Sequence, residues 1–373
     1  MSAPSSSPGR DHGPAYAAWG PPGSAPALSR RARAFLADRL GPPVAPPPPV
    51  PLDAAAARVG PTALDAVGRA ALEGAVGAEH LHLDGHARAR RAAGLSYLDL
   101  LRLRAGDVAG APDAVACPAT HEEVRAVLDA CAVHDLAVLP VGGGTSVVGG
   151  VEPDRGGHAA LVVLDLTRMD RVLDLDPVSR TVTVQPGLRG PDLESALAPH
   201  RLTLGHLPQS FARATVGGWV ATRSAGQASG GYGRLADMVT TLRLAAPAGD
   251  LRLGRGPASA AGPDLRHLVL GSEGALGVVT EVGLRVRRLP AVRRYEAWAV
   301  PGLGLGMTLL RTLVQDGAAP DVARLSDPDE TRATLALSGP SGAAGALARA
   351  YLATRIGPRV CLLVLGWEGS APG

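Results

Sequence analysis

The stretch at 140–150, PVGGGTSVVGG, holds residues that can grip a ligand through the main chain. Gly142, Gly143 and Gly144 lack a Cβ, so the backbone there can take positive φ and come into contact with a bound group. Successive N–H groups in such a turn point into one concavity, which suits phosphate oxygens. Thr145 and Ser146 add hydroxyl donors at its rim. A tight turn between two strands would use the same residues, so the loop by itself is a weak sign. Two familiar phosphate loops are excluded. A P-loop needs a Gly-Lys-Ser/Thr ending, and the chain contains no lysine. The dinucleotide fingerprint G-x-G-x-x-G opens a helix, whereas Thr-Ser-Val-Val-Gly-Gly is poor helix material.

Two further stretches have the same composition. TVGGWVATRSAGQASGGYG at 215–233 combines Gly217, Gly218, Gly226, Gly230 and Gly231 with the hydroxyls of Thr215, Thr222 and Ser224. GSEGALGVV at 271–279 follows an apolar helix end. Each alone reads as a loop, but together they suit a ligand long enough to touch all three, an extended dinucleotide. Other candidates are weaker. His80, His82 and His86 have metal-ligand spacing without supporting cysteines or carboxylates, which favours a solvated surface and no metal. Cys117, Cys131 and Cys361 match neither a disulfide framework nor a zinc site, so reduced thiols and a cytoplasmic setting are expected.

Composition sets the scaffold. Apolar residues make up 46% of 373 residues, enough for two domains, but aromatics are only 3%, so the core must be built from Ala, Val and Leu. Every basic residue is arginine, and the net charge of +3 gives no case for nucleic acid. No apolar run reaches membrane-spanning length, and Ser29-Arg30-Arg31 lacks the apolar stretch of an export signal.

Taken in order, residues 1–25 should be poorly ordered apart from Trp19, with helices at 27–40 and 62–75 flanking a proline-rich connector at 42–51. The second half of 79–103 reads as helical. A strand at 114–116, a helix opened by the Thr120/Glu123 capping box and a strand at 138–141 form a β-α-β unit, with the glycine loop at its carboxyl end. Strands follow at 161–166, 172–176, 181–185, 239–246, 251–253 and 282–286, then at 295–300, 321–325 and 360–367, with helices at 192–197 and 303–316. An unpaired edge at 360–365 would be an aggregation risk.

PVGGGTSV, TVGGWVATRSAG and GSEGALGVVTE, in this order and spacing, resemble the FAD-binding (PCMH-type) domain of the vanillyl-alcohol-oxidase superfamily. Within it the resemblance is strongest to the alkyldihydroxyacetonephosphate synthases of ether-lipid synthesis. It runs from Trp19-Gly20 through GPASAAGPDLRHL to Arg324. The resemblance implies an α+β, two-subdomain fold: an N-terminal helical and proline-rich region at 1–110, an FAD-binding domain at 111–290 and a partial substrate cap at 291–373. It implies non-covalent FAD, since no His or Cys lies in the glycine loop. Pro140, Val141, Gly142, Gly143, Gly144, Thr145 and Ser146 would hold the pyrophosphate. Gln209, Ser210, Thr215, Gly217, Gly218, Ala221, Thr222, Arg223 and Ser224 would line the flavin and adenosine. Glu273, Gly274, Ala275, Leu276, Gly277, Val278 and Val279 would run beside the ribityl chain and adenine.

The chain departs from the family at GHLPQS, where Leu207 and Gln209 stand in for carboxylates. Arg324, in Arg-Leu-Ser-Asp, matches the synthase pattern and would bind a substrate phosphate, or else pair with Asp321 or Asp327. The family's histidine cluster and acid/base tyrosine lie beyond Gly373, so no catalytic residue is assigned; His206 and Tyr232 are not promoted. The family reaction exchanges the acyl group of acyl-dihydroxyacetone phosphate for a fatty alcohol. FAD-linked D-lactate or glycolate dehydrogenases are the alternative, and a truncated FAD-binding chain without turnover is another. The expected partner is a lipid-like small molecule; peripheral membrane contact and a homodimer stay open.

Overall fold

Main-chain capping decides where the helices begin. The computed structural model describes residues 16–20, 27–43, 47–254, 259–339 and 342–369. The terminal stretch expected to be poorly ordered therefore lies largely outside the described residues, as do residues 44–46 of the connector and Gly256, Pro257 and Ala258. Helix α1 (Arg30–Leu40) starts where the Ser29 hydroxyl accepts the Ala32 N–H, and Arg30 and Arg31 lie inside it. Helix α2 (Leu52–Ala56) was not expected. Helix α3 (Ala66–Val76) begins after the Asp65 cap and not at Thr62, because the Thr62 hydroxyl is engaged with the Asp113 carbonyl. The histidine-rich segment holds a short strand, β1 (Leu81–His82), and two helices, α4 (Gly85–Ala89), capped by Asp84, and α5 (Tyr97–Arg104), opened by a Ser96/Asp99 capping box.

Strand β2 (Ala114–Ala116), helix α6 (His121–Val133), strand β3 (Leu136–Val141) and strand β4 (Ala160–Asp165) follow. The sheet order is β1-β2-β4-β3, with β2 and β3 each parallel to β4. The expected β-α-β unit is therefore present, but its two strands are not neighbours. The apolar β4, buried at every position, takes the place between them. One compact unit comprises Pro47–Pro118 and Ala126–Asp165, and the glycine loop belongs to it.

The second unit holds Ala27–Pro46, Ala119–Arg125 and the chain from Leu166 onward. It continues with the hairpin β5 (Val172–Asp176) and β6 (Thr181–Val184), then α7 (Gly190–Leu197) and β7 (Leu202–Thr203). The second glycine-rich stretch, read from sequence as a turn, contains α8 (Val216–Ala221) and α9 (Ser229–Tyr232). After α10 (Leu235–Met238) come β8 (Val239–Ala246), β9 (Gly249–Leu253), α11 (Arg266–Val269), β10 (Val278–Arg285) and β11 (Arg287–Arg288). These build an antiparallel sheet, β5-β6-β10-β8-β9, over a core of Trp219, Leu193, Leu197, Leu235, Leu244 and Leu284. His121, at the start of α6, is buried between Thr280 Oγ1 and Asp250 Oδ2, each 2.7 Å away, which anchors residues 121–125 to the sheet.

Last come β12 (Val292–Pro301), α12 (Leu303–Gln315), β13 (Val322–Leu325), α13 (Pro328–Leu337), α14 (Gly342–Arg355) and β14 (Val360–Gly369). Helices α13 and α14 were not expected, although Asp327 followed by Pro328 is a helix-start signal. The expected unpaired edge at 360–365 is corrected. Strand β14 is the middle of β12-β14-β13 and is hydrogen-bonded on both sides. Cys361, Leu363 and Leu365 bury one face of it against Leu310 and Leu313 of α12.

Candidate functional site

In the first unit the glycine loop leaves the carboxyl end of β3, beside the parallel β4, where ligands of open α/β sheets bind. Gly144 has φ of 62°, and a Cβ there would lie 3.1 Å from the Arg91 guanidinium, so the loop needs glycine at this point. Arg91 in turn pairs with Asp165 at the end of β4. The Ser146 carbonyl accepts the Leu95 N–H at 2.8 Å, tying the loop to the segment before α5. Thr145 and Ser146 are half-buried, like the glycines before them. A cavity of about 470 Å³ lined by Leu98, Arg102, Val147, Val148 and Glu152 adjoins the loop's second half. Arg91 and Asp165 were missed from sequence, where nothing relates two residues this far apart.

In the second unit the other two stretches lie side by side. The Gly271 N–H donates to Val220 O at 3.1 Å and the Glu273 N–H to Ala221 O at 3.0 Å. Thr215 caps α8, its Oγ1 accepting the Gly218 N–H. Arg223 and Glu273 have φ of 52° and 49°, a conformation rare without glycine, so two such residues stand at one junction. Gln209 and Ser210 begin a turn after Pro208; Gln209 is exposed, and the Ser210 carbonyl accepts the Ala214 N–H at 2.8 Å. Thr222 is exposed and donates back to Gly218 O at 3.0 Å. Gly274 and Gly277 close the turn that hands Val278 and Val279 to β10.

Behind this junction sits His206. Its Nε2 lies 3.0 Å from Ser224 Oγ, and its ring meets Trp219 edge-on at 4.9 Å. Nδ1 of His206 and Nε1 of Trp219 are buried with no hydrogen-bond partner. Burial pushes the His206 pKa down to about 4, so the ring is neutral near pH 7. Buried polar atoms in proteins are nearly always paired, so two open ones at one place suit a polar ligand.

Other sequence candidates fall elsewhere. Arg324 is exposed on β13 and pairs with Glu330 of α13, not with Asp321 or Asp327; the Asp327 carboxylate is used as the α13 cap. His86 faces Asp53 at 3.1 Å, and among the described residues no histidine, cysteine or carboxylate cluster could hold a metal. Cys131 is buried and its thiol pushed up to about 12, an inert core group.

Residues 112–254 match the family described as FAD binding domain. The chain is 36% identical over 302 residues to alkyldihydroxyacetonephosphate synthase of Trypanosoma brucei brucei, covering 78% of this chain and 49% of that protein. The same enzyme of Dictyostelium discoideum is 35% identical over 298 residues, with the same two coverages of 78% and 49%. A solved alkyldihydroxyacetonephosphate synthase superposes with a TM-score of 0.80 at 31% identity, covering 91% of this chain and 63% of that one. Residues 112–254 are the FAD-binding domain of a PCMH-type oxidoreductase. The chain spans about half the length of the synthases it matches. The α+β architecture with open sheets is that of a PCMH-type flavoprotein, and its FAD is held without a covalent link. The residues of the second unit suit that cofactor: unpaired polar atoms of His206 and Trp219 lie behind a strained junction of two glycine-rich stretches. Among the described residues no helix is long and apolar enough to cross a membrane.

Proposed function

We propose that this flavoprotein works as the alkyldihydroxyacetonephosphate synthases do, replacing the acyl group of an acyl-dihydroxyacetone phosphate by a fatty alcohol. The observation that carries the reading is the extent of the structural match, which covers 91% of the chain. Residues 140–146 would hold the FAD pyrophosphate by main-chain N–H groups, supported by Arg91. The segments 209–215, 221–224 and 273–279 would line the rest of the cofactor within a domain at 111–290. Bound FAD supplies the covalent and redox chemistry, and the protein orients it. His206, neutral and fixed by Trp219, would hold Ser224 in place. Arg324 would leave Glu330 to take a substrate phosphate, a pairing that a planar guanidinium makes in two parallel hydrogen bonds. A cytoplasmic, lipid-like substrate exchange by a monomer or homodimer is the corresponding setting.

Purified protein titrated with FAD should quench flavin fluorescence, and the holoprotein should incorporate labelled hexadecanol into acyl-dihydroxyacetone phosphate. Bleaching of the flavin by D-lactate or 2-hydroxyglutarate, without alcohol incorporation, would replace this reading by that of an FAD-linked dehydrogenase. Tight FAD binding with neither reaction would leave a cofactor-binding chain without turnover.

A further inference from the structure

Glu368, at the end of β14, is a meeting point of groups from four parts of the second unit. Its Oε2 accepts the Tyr232 hydroxyl at 2.6 Å and its Oε1 the Tyr295 hydroxyl at 2.8 Å, while Arg293 Nε stands 3.5 Å away. The carboxylate is 7% exposed, and its own N–H donates to Asp321 Oδ2 at 2.7 Å. Tyr232 is the inward member of the pair. Its phenol is buried, and burial together with the neighbouring carboxylate raises its pKa, so it stays a hydrogen-bond donor. Arg287 clamps it from the other side, donating to the Gly231 and Tyr232 carbonyls at 3.1 and 3.0 Å with its guanidinium 5.1 Å from the ring centroid.

Tyr232 also presses on the stretch that leads to the cofactor residues. A Cβ on Gly205 would lie 2.2 Å from the Tyr232 ring, so ring and backbone are in direct contact there. Gly205 is followed by His206, and His206 bonds Ser224. A Cβ on Gly231 would fall 1.9 Å from Asp321 Oδ1, so α9 and the segment before β13 have no slack between them either. The contacts thus run without a gap from the β12-β14-β13 sheet, through Glu368 and Tyr232, to Gly205, His206 and Ser224.

We propose that Tyr232 is a positioning residue through which the sheet bearing Arg324 sets the place of the Gly205–His206–Ser224 segment. Its role as a relay to FAD rests on the functional reading above; the mechanical link does not. If the two sites are joined in this way, coupling is reciprocal, and an ordered sheet tightens FAD as bound FAD orders the sheet.

The test is hydrogen exchange on the whole chain, without added cofactor, for wild type, Tyr232→Phe and Tyr295→Phe. Each variant loses one hydroxyl and keeps its ring. Losing a buried hydrogen bond to a charged group should speed exchange about tenfold or more at residues 203–207 and 224–227 in Tyr232→Phe. In Tyr295→Phe the increase should be confined to β12. FAD titration of the same proteins should then show about tenfold weaker binding for Tyr232→Phe alone. Unchanged protection at 203–207 in Tyr232→Phe, or equal loss in both variants, overturns the relay. A wild type that binds no FAD refutes the cofactor reading, while the exchange data still decide the link.

Discussion

Asp113 and His206 are both sealed from water, at 0% and 1% exposure, yet their surroundings treat them in opposite ways. In the first unit, Asp113 takes the Ala63 N–H at 2.8 Å, the Leu161 N–H at 2.8 Å and the Arg155 guanidinium at 2.7 Å. In the second, His206 has one partner, Ser224, and an open Nδ1. The difference separates two uses of a buried polar group. Asp113 is saturated because it holds β4 and the segment before α3 together. His206 keeps a vacancy beside residues suited to a ligand, and a fold pays for that vacancy elsewhere.

The comparison breaks most visibly at Asp113. Asp113→Ala would leave two N–H groups and a guanidinium without their acceptor, and should cost roughly 3–5 kcal/mol in urea unfolding. A cost below about 1 kcal/mol would show that the carboxylate is not the structural centre its contacts indicate.

His206 sharpens the contrast through pH. Its folded pKa, about 4, lies below the 6.5 of an unfolded histidine, so the unfolded chain binds more protons between those values. Its contribution is therefore complete above pH 6.5 and is lost as pH falls toward 4. The linked loss between pH 7 and pH 5 is about 2 kcal/mol. In His206→Gln this part of the slope should vanish from denaturation curves. An unchanged slope would mean that the ring is not buried in the neutral form.

These two residues also mark what the sequence could tell. The strand at 161–166 was legible because a buried strand needs a continuous aliphatic run, and those at 138–141 and 239–246 from their short apolar or β-branched character; β4, β3 and β8 lie there. The glycine stretches were legible as ligand material from the absence of Cβ atoms. Their pairing through Val220 and Ala221 was not, since main-chain hydrogen bonds leave no trace in residue type. Asp113, Arg91 and Glu368 act across long sequence separations, and an isolated acidic or basic residue gives no sign of its partner. Helix α8 was hidden because Gly217 and Gly218 argue against a helix; the Thr215 cap and the burial of Trp219 and Val220 override that preference.

Smaller effects are expected where strain or exposure limits the contribution. Glu273 is exposed with positive φ, so Glu273→Gly should raise unfolding stability by roughly 0.5–1 kcal/mol. A loss would mean that its side chain makes up for the backbone cost. Least affected should be Arg324→Gln, because the Arg324–Glu330 pair is open to solvent. Stability should change by less than about 0.5 kcal/mol, while the KM for a phosphorylated substrate rises. An altered melting temperature with unchanged KM would make Arg324 a structural residue only.

Strand β14 comes later in the chain than both strands it joins, and among the described residues neither β12 nor β13 bonds any other strand. On the ribosome, β12 must therefore wait for about 60 further residues, roughly 3–12 s at ordinary elongation rates. Through that interval Val300 and the apolar side of α12 have no sheet to cover them. The yield of soluble protein should thus depend on translation speed and on chaperones that shield nascent chains, more than on the final stability of the native state.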